Sequence, residues 1–195
     1  MEKLTGNRKT NLAVFISGRG TNLKSIINFS KKKNSIISVK LVISDKVNAK
    51  GLIYAKSEKI YSKVINYDKK VNAENKILKL LKLKKINFIC LAGFMKILSK
   101  NFLKKSKIKI LNIHPSLLPK YKGLNTHFRS LKNKDKYSGC TVHLVNEKLD
   151  SGKIILQKKI KIDKKETLKS LEKKILKVEN KIYPIALLKV IKSNY

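Results

Sequence analysis

The sequence predicts an α/β domain: a mostly parallel, twisted sheet of about seven strands with helices on both faces and antiparallel strands in its C-terminal part. Three observations predict it. Residues 12–16 (LAVFI) and 88–92 (FICLA) are short, continuous apolar runs, the pattern of strands buried on both faces. Such runs alternate with longer stretches whose apolar residues recur every three or four positions, a β-α-β-α rhythm. From Tyr137 onward the rhythm changes to two strands separated by a turn.

In chain order, the run Leu12–Ile16 ends in Ser17-Gly18 and reads as a buried strand. Leu23, Ile26 and Ile27 then mark a helix over Thr21–Phe29. Ile36–Ser44 is a second strand, Gly51–Lys59 a short helix and Ser62–Asn66 a weak strand. Ile77, Leu80 and Leu81, with lysines between them, make Ala73–Leu83 an amphipathic helix. Ile86–Ala92 and Ile108–Asn112 are further strands. Cys140–Val145 and Lys153–Ile160 flank the turn signal Asp150-Ser151-Gly152 and suit an antiparallel pair. Leu168, Leu171, Ile175, Val178 and Ile182 give a helix over Glu166–Ile191, interrupted or kinked near Pro184. The first ten residues read as a loose tail, and residues 11–195 as a single domain.

Composition narrows the function. The 195 residues carry 47 Lys+Arg against 12 Asp+Glu, a formal net charge of +35, yet 42% are hydrophobic, enough for a real core. The charge suits a polyanion. However, only Arg8, Arg19 and Arg129 are arginine, the residue favoured for bidentate phosphate and base contacts. The lysines are spread along the chain beside abundant Asn and Ile, a pattern that A/T-rich codons produce without selection for a partner. Two cysteines, Cys90 and Cys140, make no disulfide framework and suit a reducing compartment. No apolar run approaches the roughly 18 residues of a membrane helix, and none after the N-terminus makes a signal core. His114, His127 and His143 lack compact metal-ligand spacing.

Three motifs carry chemistry. Ser17-Gly18-Arg19-Gly20-Thr21-Asn22 lies between a strand and a helix. Glycines there let backbone N–H groups approach an anion at a helix N-terminus. Leu23 stands where a dinucleotide fingerprint needs a third glycine, so a monophosphate fits better. The alternative is a plain tight turn capped by Thr21 or Asn22. Asn112-Ile113-His114-Pro115-Ser116-Leu117-Leu118-Pro119 follows a parallel strand, where open α/β sheets bind ligands. Asn112 and His114 are two apart and share a side of extended backbone, an amide donor beside an imidazole, suited to an oxyanion. Alternatively His114 only hydrogen-bonds within a loop. Asp150 either bonds its own turn or, facing His114, favours the imidazolium and raises its pKa.

Taken together, these motifs resemble the phosphoribosylglycinamide formyltransferase family. The resemblance runs from about Leu12 to Pro184, on Ile16–Leu23, Leu91–Leu98, Asn112–Tyr121, Gly139–His143 and Leu149–Gly152, in that order. It implies a Rossmann-like formyltransferase fold in the cytoplasm, acting in purine biosynthesis without a metal. It implies transfer of the formyl group of 10-formyltetrahydrofolate, the cosubstrate, to the amine of glycinamide ribonucleotide. By motif, Asn112, His114 and Asp150 would be the catalytic set. Gly20, Thr21, Asn22 and Glu179 would bind the ribonucleotide, its phosphate at the first three and its ribose at Glu179. Met95, Lys96, Ile97 and Leu98 would line the folate pocket together with Asn112. Lys70, or Lys69, stands where the family usually has a folate-contacting Arg, and Asn125 where relatives often carry His.

The expected partners are therefore two small molecules, with no specific nucleic acid and no membrane, acting on a monomer or homodimer. Rival readings are a methionyl-tRNA formyltransferase-like or formyltetrahydrofolate hydrolase-like enzyme, whose extra domains a 195-residue chain does not accommodate, and a non-enzymatic basic nucleic-acid-binding domain. The last predicts basic residues interleaved with exposed aromatics. Aromatics are 7% of the chain, and Phe15 and Phe88 lie in core-like strands.

Overall fold

Strand β1 (Thr10–Ile16) sits in the middle of the sheet, and its side chains sort the core into two layers. Leu12, Val14 and Ile16 face one side and Ala13 and Phe15 the other, all 0% exposed, the period-2 alternation of a strand covered on both faces. In this computed structural model residues 9–193 are described. Of the tail expected over residues 1–10, residues 1–8 lie outside the described residues, and Thr10 already pairs with Ile37.

The remaining elements are α1 (Thr21–Ser30), β2 (Ile37–Ser44), α2 (Gly51–Ser57), β3 (Ser62–Val64), α3 (Lys70–Leu83), β4 (Phe88–Leu91), α4 (Lys100–Ser106), β5 (Lys109–His114), α5 (Thr126–Lys132), β6 (Tyr137–Leu144), β7 (Ile154–Lys161) and α6 (Leu168–Lys192). One seven-stranded sheet has the order β3-β2-β1-β4-β5-β6-β7. The first five strands in that order are parallel, and β5-β6 and β6-β7 are antiparallel. The sheet is thus the mixed one expected from the rhythm and its change at Tyr137. The order reverses between β1 and β4, which opens a crevice at their carboxyl ends.

Helices α1 and α6 cover one face: Leu23, Ile26, Leu171, Ile175, Ala186 and Leu187 pack against the even-numbered side chains of β1. Helices α3 and α4 cover the other through Ala73, Ile77, Leu81 and Phe102. Two helices are new relative to the sequence reading. Helix α4 buries only Phe102, and α5 buries Thr126 and Ser130, so neither shows apolar periodicity. Helix α3 begins at Lys70, one turn before Ala73.

Helix α6 corrects the expected interruption: it runs unbroken through Pro184. Proline lacks the N–H that would satisfy the carbonyl four residues earlier, here Asn180. The Ser25 hydroxyl of α1 donates to that carbonyl instead. The helix starts on a reciprocal cap in which Thr167 Oγ1 accepts from Ser170 N at 3.2 Å and Thr167 N donates to Ser170 Oγ at 3.1 Å. Further along, the Tyr183 hydroxyl, fully buried, lies 2.9 Å from the carbonyl oxygens of both Leu91 and Leu111. It ties α6 to the end of β4 and the middle of β5.

Candidate functional site

A cavity of about 710 Å³ opens at the carboxyl ends of β1, β4 and β5. Its walls are the turn after β1, the loop after β4, α6, and the segments 123–127 and 145–150. Three regions of different chemistry line it.

The first is the glycine turn. Gly20 has φ +73 and ends the turn as the N-cap of α1, with no side chain capping it, so the alternative of a cap by Thr21 or Asn22 is not realised. A Cβ on Gly20 would stand 2.3 Å from the Gly51 Cα, so the starts of α1 and α2 meet backbone to backbone. Asn22 instead donates its Nδ2 to Glu179 Oε2 of α6 at 2.9 Å, leaving its own Oδ1 buried without a partner. Burial pushes the Glu179 carboxyl up to about 7, against the opposing pull of Asn22 and Arg19. The first backbone N–H groups of α1 and the Arg19 guanidinium give this region a positive character suited to an anion.

The second region is built on β5 and β6. Antiparallel register sets Asn112 opposite His143 and His114 opposite Thr141. His143 Nδ1 is 2.8 Å from the Leu144 carbonyl, which only accepts, so Nδ1 carries a hydrogen. Nε2 is then free to accept from Asn112 Nδ2 at 3.2 Å, which fixes the orientation of the Asn112 amide. Asp150, at φ +45, turns its carboxylate back into the site. Its Oδ2 lies 3.4 Å from His114 Nδ1 and accepts from the Gly123 N–H at 2.9 Å, and its Oδ1 lies 3.6 Å from His143 Nε2. Burial raises the Asp150 carboxyl, but His143, the Gly123 N–H and the His114 ring outweigh it and leave it below its usual value.

His114 faces an oxygen at each ring nitrogen: Tyr121 O at 2.8 Å from Nε2 and Asp150 at Nδ1. Both oxygens accept only, so the geometry suits a ring with two N–H bonds. Burial first, then His143 and Arg129, oppose that charge against the pull of Tyr121 and Asp150, and the net pKa lies below the ordinary value. The Asp150 carboxylate acts in the expected, raising direction, and desolvation exceeds it. Negative charge arriving beside the ring favours the proton that burial disfavours.

The third region is the loop after β4. Ser17 Oγ accepts from Met95 N at 2.8 Å, and Ser17 N donates to Gly93 O at 3.2 Å. Beyond the loop, Ser99 N donates to Glu74 Oε1 at 2.8 Å, and the Ser99 hydroxyl bonds the same carboxylate. Pinned at both ends, the loop holds Met95, Lys96, Ile97 and Leu98 along the cavity, with Met95 and Ile97 more than half exposed. Exposed apolar side chains on a fixed loop suit a flat, partly apolar ligand.

The structure thus brings Gly20, Thr21, Asn22, Met95, Lys96, Ile97, Leu98, Asn112, His114, Asp150 and Glu179 to one cavity. Lys70 is not among the lining residues; it is the exposed first residue of α3. Sequence reasoning missed Arg19, His127, His143 and Glu172, which also line the cavity. The spacing of Glu172 and Glu179, seven apart and so on one helix face, was the available signal for Glu172. Among the described residues no group of three or more His, Cys, Asp or Glu is placed to hold a metal ion, and no helix is long and apolar enough to cross a membrane.

Comparison with known proteins adds relatives. The sequence matches the Formyl transferase family over residues 10–187. It is 40% identical over 179 residues to a phosphoribosylglycinamide formyltransferase of Haemophilus influenzae, covering 90% of this chain and 84% of that one. It is 41% identical over 183 residues to the human trifunctional purine biosynthetic protein adenosine-3. There the match takes in 92% of this chain and spans 18% of that longer protein. Among solved structures, it is similar to the phosphoribosylglycinamide formyltransferase from Bacillus halodurans, with TM-score 0.90 and 34% identity, covering 95% of this chain and 97% of that one. The enzyme of the same name from Brucella melitensis gives TM-score 0.88 and 38% identity, over 93% and 95% of the two chains.

Proposed function

The chain belongs to the formyl transferase family, and from that premise we propose that it transfers the formyl group of 10-formyltetrahydrofolate to the amine of glycinamide ribonucleotide in cytoplasmic purine biosynthesis. The observation that carries the reading is the His114–Asp150 pair, 3.4 Å apart, between an anion-suited glycine turn and a partly apolar loop of one cavity. The two ends match the two substrates, a phosphate ester and a flat pterin.

In this reading Gly20, Thr21 and Asn22 hold the phosphate through backbone N–H, hydroxyl and amide groups, and Glu179 accepts from the ribose hydroxyls. Met95 to Leu98 hold the pterin. The amine attacks the formyl carbon directly, so no covalent nucleophile is needed. Negative charge develops on the formyl oxygen, where the Asn112 amide donates and His114 supplies a second donor as it takes up a proton. Asp150 stabilises the imidazolium and helps relay the proton that the amine loses to N10 of the folate, which takes it as the bond between the formyl carbon and N10 breaks and tetrahydrofolate leaves. The Tyr121 carbonyl and the Gly123 N–H keep His114 and Asp150 in place.

The test is an absorbance assay for the folate product with both substrates present. Turnover dependent on glycinamide ribonucleotide is expected. Folded protein that produces no tetrahydrofolate overturns the reading.

A further inference from the structure

Asp45 directly follows β2, and its side chain is 1% exposed. Neither of its carboxylate oxygens has a hydrogen-bond partner. Lys96, on the loop after β4, places its ammonium 4.0 Å from Asp45 Oδ2, too far for a hydrogen bond. The buried Tyr67 hydroxyl also has no partner, and burial, Glu74 and Asp45 all hold its proton on. Glu74 itself is committed to Ser99. In a chain with 47 basic and 12 acidic residues, a buried carboxylate without a hydrogen bond stands out.

Lys96 belongs to both surroundings, since it also lines the cavity and is 45% exposed. The ammonium is attracted to Asp45 without being locked to it. On the reading above, which this inference rests on, the backbone of Lys96 belongs to the loop that holds the pterin, and its long, part-exposed side chain is the one basic group between Gly93 and Leu98 that can reach toward the folate's anionic tail.

We propose that Asp45 is a specificity-determining residue for the cosubstrate: it competes with the anionic folate tail for Lys96 and so limits how tightly that tail is held. Two effects act in one direction. While Lys96 leans toward Asp45, its charge is partly neutralised and attracts the tail less. When the tail draws Lys96 away, Asp45 is left buried and uncompensated, which costs free energy. With no hydrogen bond to direct the ammonium, Asp45 restrains Lys96 and does not aim it.

The test is Asp45→Asn, which keeps the side-chain shape and removes the charge. The KM for 10-formyltetrahydrofolate is expected to fall about five- to tenfold, the scale of one released charge pair near a surface. The KM for glycinamide ribonucleotide serves as the internal reference. The gain should vanish in a Lys96→Met background and with a tetrahydropterin that lacks the aminobenzoylglutamate tail. Calorimetric titration with tetrahydrofolate reads the same affinity without turnover. If wild-type protein binds tetrahydrofolate and Asp45→Asn binds it equally or more weakly, this inference alone is overturned. If wild-type protein binds no folate, the function proposed above falls with it.

Discussion

His114 and Asp150 face each other at 3.4 Å, and the histidine's other nitrogen meets the Tyr121 carbonyl at 2.8 Å. The ring is thus framed to carry a second proton that burial makes costly. His114→Ala and Asp150→Asn are each expected to lower kcat at least about 100-fold, the scale of a lost acid–base or oxyanion group. Asp150→Asn should also lower the His114 pKa further, because the carboxylate contribution that raises it is gone. Imidazole proton NMR titration reads that shift. Near-wild-type kcat in either variant removes the role assigned to that residue.

Glu179 makes the stability of the fold depend on pH. Its carboxyl rises from 4.5 unfolded to about 7 folded, so the native state holds the proton more tightly than the unfolded chain. The stabilisation is complete below pH 4.5 and is lost as pH rises through about 7, a swing of roughly 3 kcal/mol. Glu179→Gln should therefore unfold at higher urea than the parent at pH 8 and at a similar urea concentration at pH 4.5. An equal gap at both pH values rules this out. The same variant should raise the KM for the ribonucleotide.

The two glycines of the β1 turn should respond differently to one methyl group. At Gly20 the added carbon meets the Gly51 Cα at 2.3 Å on a left-handed backbone, whereas at Gly18 nothing lies within 4 Å. Gly20→Ala is expected to destabilise by about 2 kcal/mol or more and Gly18→Ala by less than about 1 kcal/mol. Thermal unfolding of the pair decides it, and equal losses count against the backbone contact.

Tyr183→Phe should cost about 1–3 kcal/mol, since it withdraws a buried donor from the carbonyls of two strands while leaving the ring in place. Chemical denaturation measures it. A neutral result means that the Leu91 and Leu111 carbonyls are satisfied without it.

The strands were legible because their signal is local. Residues 12–16 and 88–91 are buried on both faces and read as unbroken apolar runs. The glycine turn, Asn112, His114 and Asp150 were legible from their places in motifs. His143 was not, because its contact with Asn112 arises from the antiparallel register of β5 and β6, which no spacing prints. Helix α4 escaped for the opposite reason: seven residues with one buried side chain have no period to detect. Pro184 misled because its remedy, the Ser25 hydroxyl, lies 155 positions from the Asn180 carbonyl that it satisfies. The net direction at His114 depends on how deeply the folded chain buries it, which the pairing with Asp150 does not reveal.

The bond between Asn22 and Glu179 joins residues 157 positions apart. A ribosome making this protein completes the glycine turn well before the helix that faces it. Until α6 docks, one wall of the cavity does not exist, and Asn22 and the Leu91 and Leu111 carbonyls lack their partners from it. Nascent and truncated chains should therefore be inert toward the ribonucleotide, so a cell holding shortened copies would not have them sequester substrate.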